Sequence, residues 1–274
     1  MKCMICNTQL HFYFSKRFDN FIINEAEYFR CGHCGFVFSK THAEMTGEDW
    51  GKLNLTYHAS FQGKETNTDD PSWLSRLAEQ AHVINDVQSL GILQGGNPWL
   101  DYGCGDGKLS EILTRKYNLI LNIYDKYMDP YDNKQRFPRF LQDKELIPGR
   151  FNFVINTSVF EHFRKRHELD QLETLVSNDG VFGIHTVVCE NIPQDESWFY
   201  LLPVHCAFFT NKSMELLFQQ WGYNFSLYNV NARLWLWFKD KSRSRIIKEY
   251  VENANKRIKG PFYIYKNGFV DYWK

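Results

Sequence analysis

The sequence predicts an α/β protein: an open sheet flanked by helices, with a small cysteine-stapled module in front. Three observations predict it. Two Cys-x-x-Cys pairs, Cys3/Cys6 and Cys31/Cys34, are separated by 24 residues. A glycine-rich turn, Gly103, Gly105 and Gly107, joins a short apolar run to a helical pattern. Strand-like runs then alternate with helical ones up to about residue 240, the order of an open, mostly parallel sheet. A chain of 274 residues has room for one such domain and a module.

Composition narrows the function classes. Basic and acidic residues number 32 each, so the formal charge is zero. That argues against non-specific attachment to nucleic acid or to an anionic membrane. No apolar run approaches the ~20 residues of a spanning helix. The start, MKCMIC, has no signal-like stretch. A soluble, cytoplasmic protein is expected. Seven cysteines without a secretion signal argue against a disulfide scaffold. Cys104, Cys189 and Cys206 stand alone.

Residues 1–40 read as a zinc ribbon. Each Cys-x-x-Cys pair forms a tight turn whose sulfurs can face one ion, and four thiolates suit a closed structural zinc site. The intervening HFYFSKRFDNFIINEAEYF is rich in strand formers. So small a module cannot build its own core, so the metal supplies its folding energy. Cys3, Cys6, Cys31 and Cys34 are the expected ligands, with His33 a bystander. Residues 41–97 read as a linker and a covering helix. The stretch 41–70 is polar and reads as loop, from which Tyr57, His58 and Phe61 could fold over a pocket. From Trp73 to Leu90, Leu77, Ala81, Ile84 and Val87 share one helical face. The paired glycines of GILQGGNP end it.

The domain at residues 98–240 carries the chemistry. Trp99 to Tyr102 form a buried strand, and the three glycines let the backbone approach a ligand closely at a helix N-terminus. A glycine turn alone is also found at dinucleotide sites. Asp101 distinguishes this one: an acid at the strand end suits the cationic amino group of a methionine moiety and would repel a pyrophosphate. The strand Leu119 to Tyr124 ends in Asp125, an acid placed to accept both hydroxyls of a ribose. Asp143 is expected near the adenine amino group. Phe151 to Asn156 form the next strand, followed by Ser158 and His162 in a helical segment. His185 ends the strand in DGVFGIHTVV. Such strand ends are where open α/β sheets bind ligands.

Asp101-Tyr102-Gly103-Cys104-Gly105-Asp106-Gly107, Asp125 and Val159-Phe160-Glu161-His162 together resemble three motifs of the class I S-adenosylmethionine-dependent methyltransferases. The resemblance covers about residues 75–240 and implies a Rossmann-like, seven-stranded methyltransferase sheet behind the ribbon. It implies S-adenosylmethionine held by Asp101, Gly103, Gly105, Gly107, Asp125, Asp143 and Ser158. Asn152 stands where that family usually has an acid. The ribbon is similar to that of members acting on sugars and other small metabolites. O-methylation of a sugar or nucleotide-linked sugar is therefore the expected reaction. Carbon methylation of a keto sugar, or methylation of another small metabolite, RNA or protein, are the alternatives.

The acceptor is expected beneath a lid at residues 189–209, where Trp198, Phe199, Tyr200 and Phe208 could stack on it. In the resembling family a histidine before an F-T helix start often faces the acceptor. His205 is therefore the first expected general base, His185 the second and His162 the third. His185, Glu190 and His205 could also converge on a second divalent metal. After a closing hairpin, residues 241–274 form a surface helix and an aromatic tail that packs on its own domain or in a homodimer.

Overall fold

Alternating apolar residues set the first strands. β1 (Leu10–Arg17) and β2 (Glu25–Cys31) pair antiparallel, with a bulge between Phe12 and Phe14, and β3 (Val37–Ser39) adds to β2. The computed structural model describes residues 1–19, 22–60, 70–93, 98–127, 139–258 and 262–271. Phe61, and the glycine pair expected to end the covering helix, lie outside them.

The stretch read as a loop is helical. α1 (Lys40–Glu44) starts at Ser39, whose hydroxyl accepts from the His42 N–H. α2 (Gly47–Ala59) starts at Thr46, whose hydroxyl accepts from the Asp49 N–H at 3.0 Å. Such a cap is worth ~1 kcal/mol, and Glu48 and Asp49 in the first turn suit the helix dipole. Polar composition hid this helix because it buries only Trp50, Leu53 and Asn54. Arg164 anchors it by lying over the Trp50 ring and donating to the Met45 carbonyl.

α3 (Trp73–Ser89) buries the expected face and packs on α4 (Lys108–Tyr117). Between them runs β4 (Trp99–Tyr102), and β5 (Asn122–Tyr124) follows. β6 (Phe151–Thr157), α5 (Arg166–Thr174) and β7 (Val176–His185) complete the parallel part of the sheet. The segment after β6 is not a long helix: His162 sits on a single 3-10 turn, Phe160–His162, and α5 begins only at Arg166.

The return from β7 corrects the lid. β8 (Val188–Cys189) and β9 (Ala207–Thr210) pair in parallel, and β9 pairs antiparallel with β3. A five-stranded sheet, β1-β2-β3-β9-β8, thus joins the cysteine module to the segment 189–209. Trp198 and Tyr200 pack around buried Phe208, and Phe199 is exposed. α6 (Asn211–Gln220), β10 (Phe225–Asn229), β11 (Leu234–Phe238), α7 (Ser244–Ile258) and β12 (Tyr263–Lys266) follow.

The main sheet has seven strands in the order β12-β10-β11-β7-β6-β4-β5. The hairpin β10–β11 and the tail strand β12 are antiparallel. The tail therefore packs on its own sheet, and Phe269 and Val270 are buried. Among the described residues no helix is long and apolar enough to cross a membrane.

Candidate functional site

The module comes first because it is the simplest site. Facing turns bring Cys3 within 3.6 Å of Cys34, and Cys6 within 3.4 Å of Cys31 and 3.7 Å of Cys34, sulfur to sulfur. A tetrahedral zinc with bonds of ~2.3 Å has sulfur–sulfur edges of about 3.8 Å. The four thiols form a donor set that fits zinc. The module is also bound to the rest of the chain. The Thr210 hydroxyl donates to the Cys34 carbonyl at 2.5 Å, and Tyr13 donates to the Ile192 carbonyl at 2.8 Å. Gly35 has a positive φ of 73°, and a Cβ there would meet Thr210 Cγ2 at 2.9 Å. Only glycine allows this close seat.

The donor end lies at the carboxyl ends of β4 and β5. Gly103, Gly105 and Gly107 all have positive φ, and a Cβ on Gly103 would stand 2.6 Å from Val159 Cγ2. The turn opens α4, so its N-terminal N–H groups face the same space. Asp125 holds the turn: its carboxylate accepts from the Gly105 N–H and the Tyr127 N–H, both at 2.9 Å. The carboxylate thereby ties the end of β5 to the glycine turn.

Asp101 is 2% exposed, and one of its oxygens has no partner. Burial first, then the nearby Asp125 and Asp106 carboxylates, push its pKa up to about 8. Three acids thus stand around one glycine turn. A buried, unpartnered carboxylate is costly until a cation reaches it. That orphaned oxygen fits the ammonium group of S-adenosylmethionine.

Asp101, Gly103, Gly105, Asp106 and Asp125, but not Gly107, line a cavity of about 350 Å³, within the usual size of small-molecule sites. Ser158, His162 and Glu168 line it from the other side of the sheet top. Ser158 takes a strained positive φ of 57° and donates its N–H to the His185 carbonyl at 2.8 Å. Sequence reasoning missed most of the covering wall. His58, expected to fold over a pocket, does so from α2; the residues missed are Trp50 and Asn54 beside it and Trp73, Arg76 and Leu77 from α3. The signal that could have found them is the Thr46-x-x-Asp49 cap followed by Trp50 and Leu53 at helical spacing.

The expected bases divide. His162 lines the cavity; His205 and His185 do not. His205 lies behind His162, ring against ring at 5.0 Å, and its Nδ1–H donates to the Tyr200 carbonyl at 2.9 Å. His185 donates its Nδ1–H to the Arg233 carbonyl at 2.7 Å. Burial holds both at a pKa of about 3. Burial likewise keeps His162 neutral, and its Nδ1 has no partner. His58, with a pKa lowered by burial to about 4, stacks its ring 5.3 Å from that of His162. The cavity therefore holds two neutral imidazoles side by side.

Two other expectations are corrected. Asp143 is exposed, accepts from the Tyr124 hydroxyl at 2.8 Å and does not line the cavity. His185, Glu190 and His205 are not gathered: Glu190 lines a separate polar pocket beside Arg30 and Lys212. A second His/Glu/His group does exist, but on different residues. One ligand atom each from Glu161, His162 and His205 lie within 4.8 Å of one another. Glu161 is fully buried, accepts from the Tyr200 hydroxyl at 2.5 Å and the Thr186 hydroxyl at 3.0 Å, and has its pKa raised by burial to about 7.

No curated protein matches the chain. Among solved structures it is similar to the plantazolicin methyltransferase BpumL bound to a monoazolic desmethylPZN analog and SAH, at 13% identity and a TM-score of 0.48, covering 73% of this chain and 96% of that one. It is also similar to the magnesium protoporphyrin IX methyltransferase of Synechocystis PCC 6803 with bound SAH, at 14% identity and a TM-score of 0.44, covering 73% and 98%. Neither likeness bears on what this chain acts on. The methyltransferase domain family matches residues 74–226, more than half of the chain and the whole donor end described above. The chain belongs to that family and is an S-adenosylmethionine-dependent methyltransferase.

Proposed function

We propose that the protein methylates a hydroxyl of a small polar metabolite, with a sugar or nucleotide-linked sugar as the first acceptor class. The observation that carries this reading is that two neutral imidazoles, His58 and His162, line the same cavity as the unpartnered Asp101. Asp101 pairs with the ammonium group of the donor, Asp125 takes the ribose hydroxyls, and the N–H groups of the glycine turn complete the hold. Bound there, S-adenosylmethionine supplies a methyl carbon: the acceptor oxygen forms the new C–O bond as the C–S bond breaks, and its electron pair stays on sulfur. The hydroxyl proton passes to an imidazole of the wall. An imidazole must be neutral to accept the proton, and burial, which keeps both neutral, also makes them weaker bases than a free imidazole. α2 and α3 cover the cavity and hold the acceptor in line, which supplies much of the rate.

The same imidazoles would serve an acidic C–H, so a keto sugar is the carbon-methylation alternative. Mass spectrometry after incubation with donor and a panel of hydroxy sugars, nucleotide sugars, keto sugars and other small metabolites tests the reading. A gain of about 14 Da, one methyl, on a hydroxyl is expected. The same gain on carbon, amine, RNA or protein, with the hydroxyl compounds unchanged, would overturn it.

A further inference from the structure

We propose that Glu161, His162 and His205 form a second metal site, for a divalent first-row ion, in the wall of the donor cavity. The inference rests on the reading above only in placing the acceptor beside His162.

Hydrogen bonding sets up each ligand. His205 donates its Nδ1–H to the Tyr200 carbonyl, which leaves the Nε2 lone pair free. The His162 ring reaches the Val204 carbonyl, and its Nδ1 is buried without a partner. A carbonyl can only accept, so a ring N–H turned toward it leaves a lone pair on the other nitrogen. An imidazole held by a carbonyl at one nitrogen and open at the other is the arrangement of a metal-bound histidine. Glu161 is oriented in the same way, by the hydroxyls of Tyr200 and Thr186 and by its own backbone N–H. One ring nitrogen of each histidine and one oxygen of Glu161 lie within 4.8 Å of one another, so small side-chain rotations close the three residues on bonds of ~2.1 Å.

Two imidazoles and one carboxylate leave coordination positions open and suit iron, manganese or zinc. His162 lines the cavity and Glu161 and His205 stand behind it, so the ion would sit in the wall next to the acceptor. The ligand class that fits is an acceptor with two adjacent oxygens, a diol or a hydroxy-carbonyl. With the ion in place His162 is a ligand, and the proton of the acceptor falls to His58, whose ring lies beside it.

The test is a titration of manganese(II) into the full-length protein with its cysteine site loaded with zinc. Paramagnetic resonance follows free and bound manganese, with no acceptor present. One bound ion per chain is expected, with nitrogen couplings from two imidazoles. His205→Ala and Glu161→Gln should abolish it while donor affinity, read by calorimetry, and zinc content stay unchanged. Tyr200→Phe should weaken it by about tenfold, as loss of an orienting partner does. No bound manganese in wild type would overturn the site. Manganese bound equally by wild type and His205→Ala, but lost in Asp106→Asn, would place the ion on the acidic turn and overturn it as well. A blank result on the acceptor panel leaves this readout untouched, so the two readings fail separately.

Discussion

The donor end of the cavity and its opposite wall are built in different ways. The donor end comes almost entirely from Asp101 to Gly107, with Asp125 reaching in from the next strand. On the proposed reading much of its hold is backbone: N–H groups of one turn, opened by glycines and tied by Asp125. The opposite wall is drawn from α2, α3 and the turn after β6, and His205, behind it, comes from a segment tied to the cysteine module. A site made of one short segment serves the part of the chemistry that every acceptor shares. A wall assembled from distant segments can change side chain by side chain without touching the donor.

That contrast can be broken at the module. Cys31→Ser removes a thiolate from a site whose zinc is worth about 10 kcal/mol or more in small domains. β3 and β9 should then part, carrying the His205 segment with them. Methyl transfer should fall to background while donor affinity, measured by calorimetry, falls far less. Equal loss of both would show that the two ends are one unit.

Changing an imidazole should separate the ends most cleanly. His58→Gln should lower kcat by about 100-fold or more, the usual contribution of a general base, and leave donor affinity alone. Asp101→Asn should do the reverse, weakening donor binding by about 100-fold, or ~3 kcal/mol for a buried charge pair. It should also change how stability depends on pH. The folded pKa of Asp101, about 8, lies above the ordinary value of 3.8, so the folded state holds a proton that the unfolded state has lost. Donor-free wild type therefore loses stability as pH rises from about 4 to about 8, and the Asn variant loses less over that window. Thermal melts across that window check it. The smallest effect is expected from Gly103→Ala. Its positive φ and the approach of Val159 should cost about 2 kcal/mol, seen as a lower melting temperature and weaker donor binding.

The same contrast explains what was legible in the sequence. That Asp101, the glycine turn and Asp125 gather at the strand ends, and that the four cysteines cluster, could be read directly, because each group is fixed by spacing along a short segment. The strands β4, β6 and β7, the hairpin and α3 were legible for the same reason. The covering wall was not. α2 buries only one face of three residues, so its composition looks like loop, and its Thr46 cap with Trp50 and Leu53 behind it is a faint local sign. The aromatic run at 198–209 looks like a lid because burial against β3, some 170 residues away, leaves no trace in local pattern. Glu161, His162 and His205 meet only because the β9 segment crosses the turn after β6, where Cys206 donates its N–H to the Glu161 carbonyl.

The central claim is that Asp101 takes up the cation of the donor. Calorimetry of S-adenosylmethionine binding near pH 6.5, in two buffers of different ionisation enthalpy, tests it most directly. Asp101 is mostly protonated there in the donor-free protein and must ionise to pair with the ammonium group. Release of close to one proton per donor bound is predicted, with the release gone and the affinity about 100-fold lower in Asp101→Asn. Donor binding without proton release, and equally tight in the Asn variant, would contradict the account.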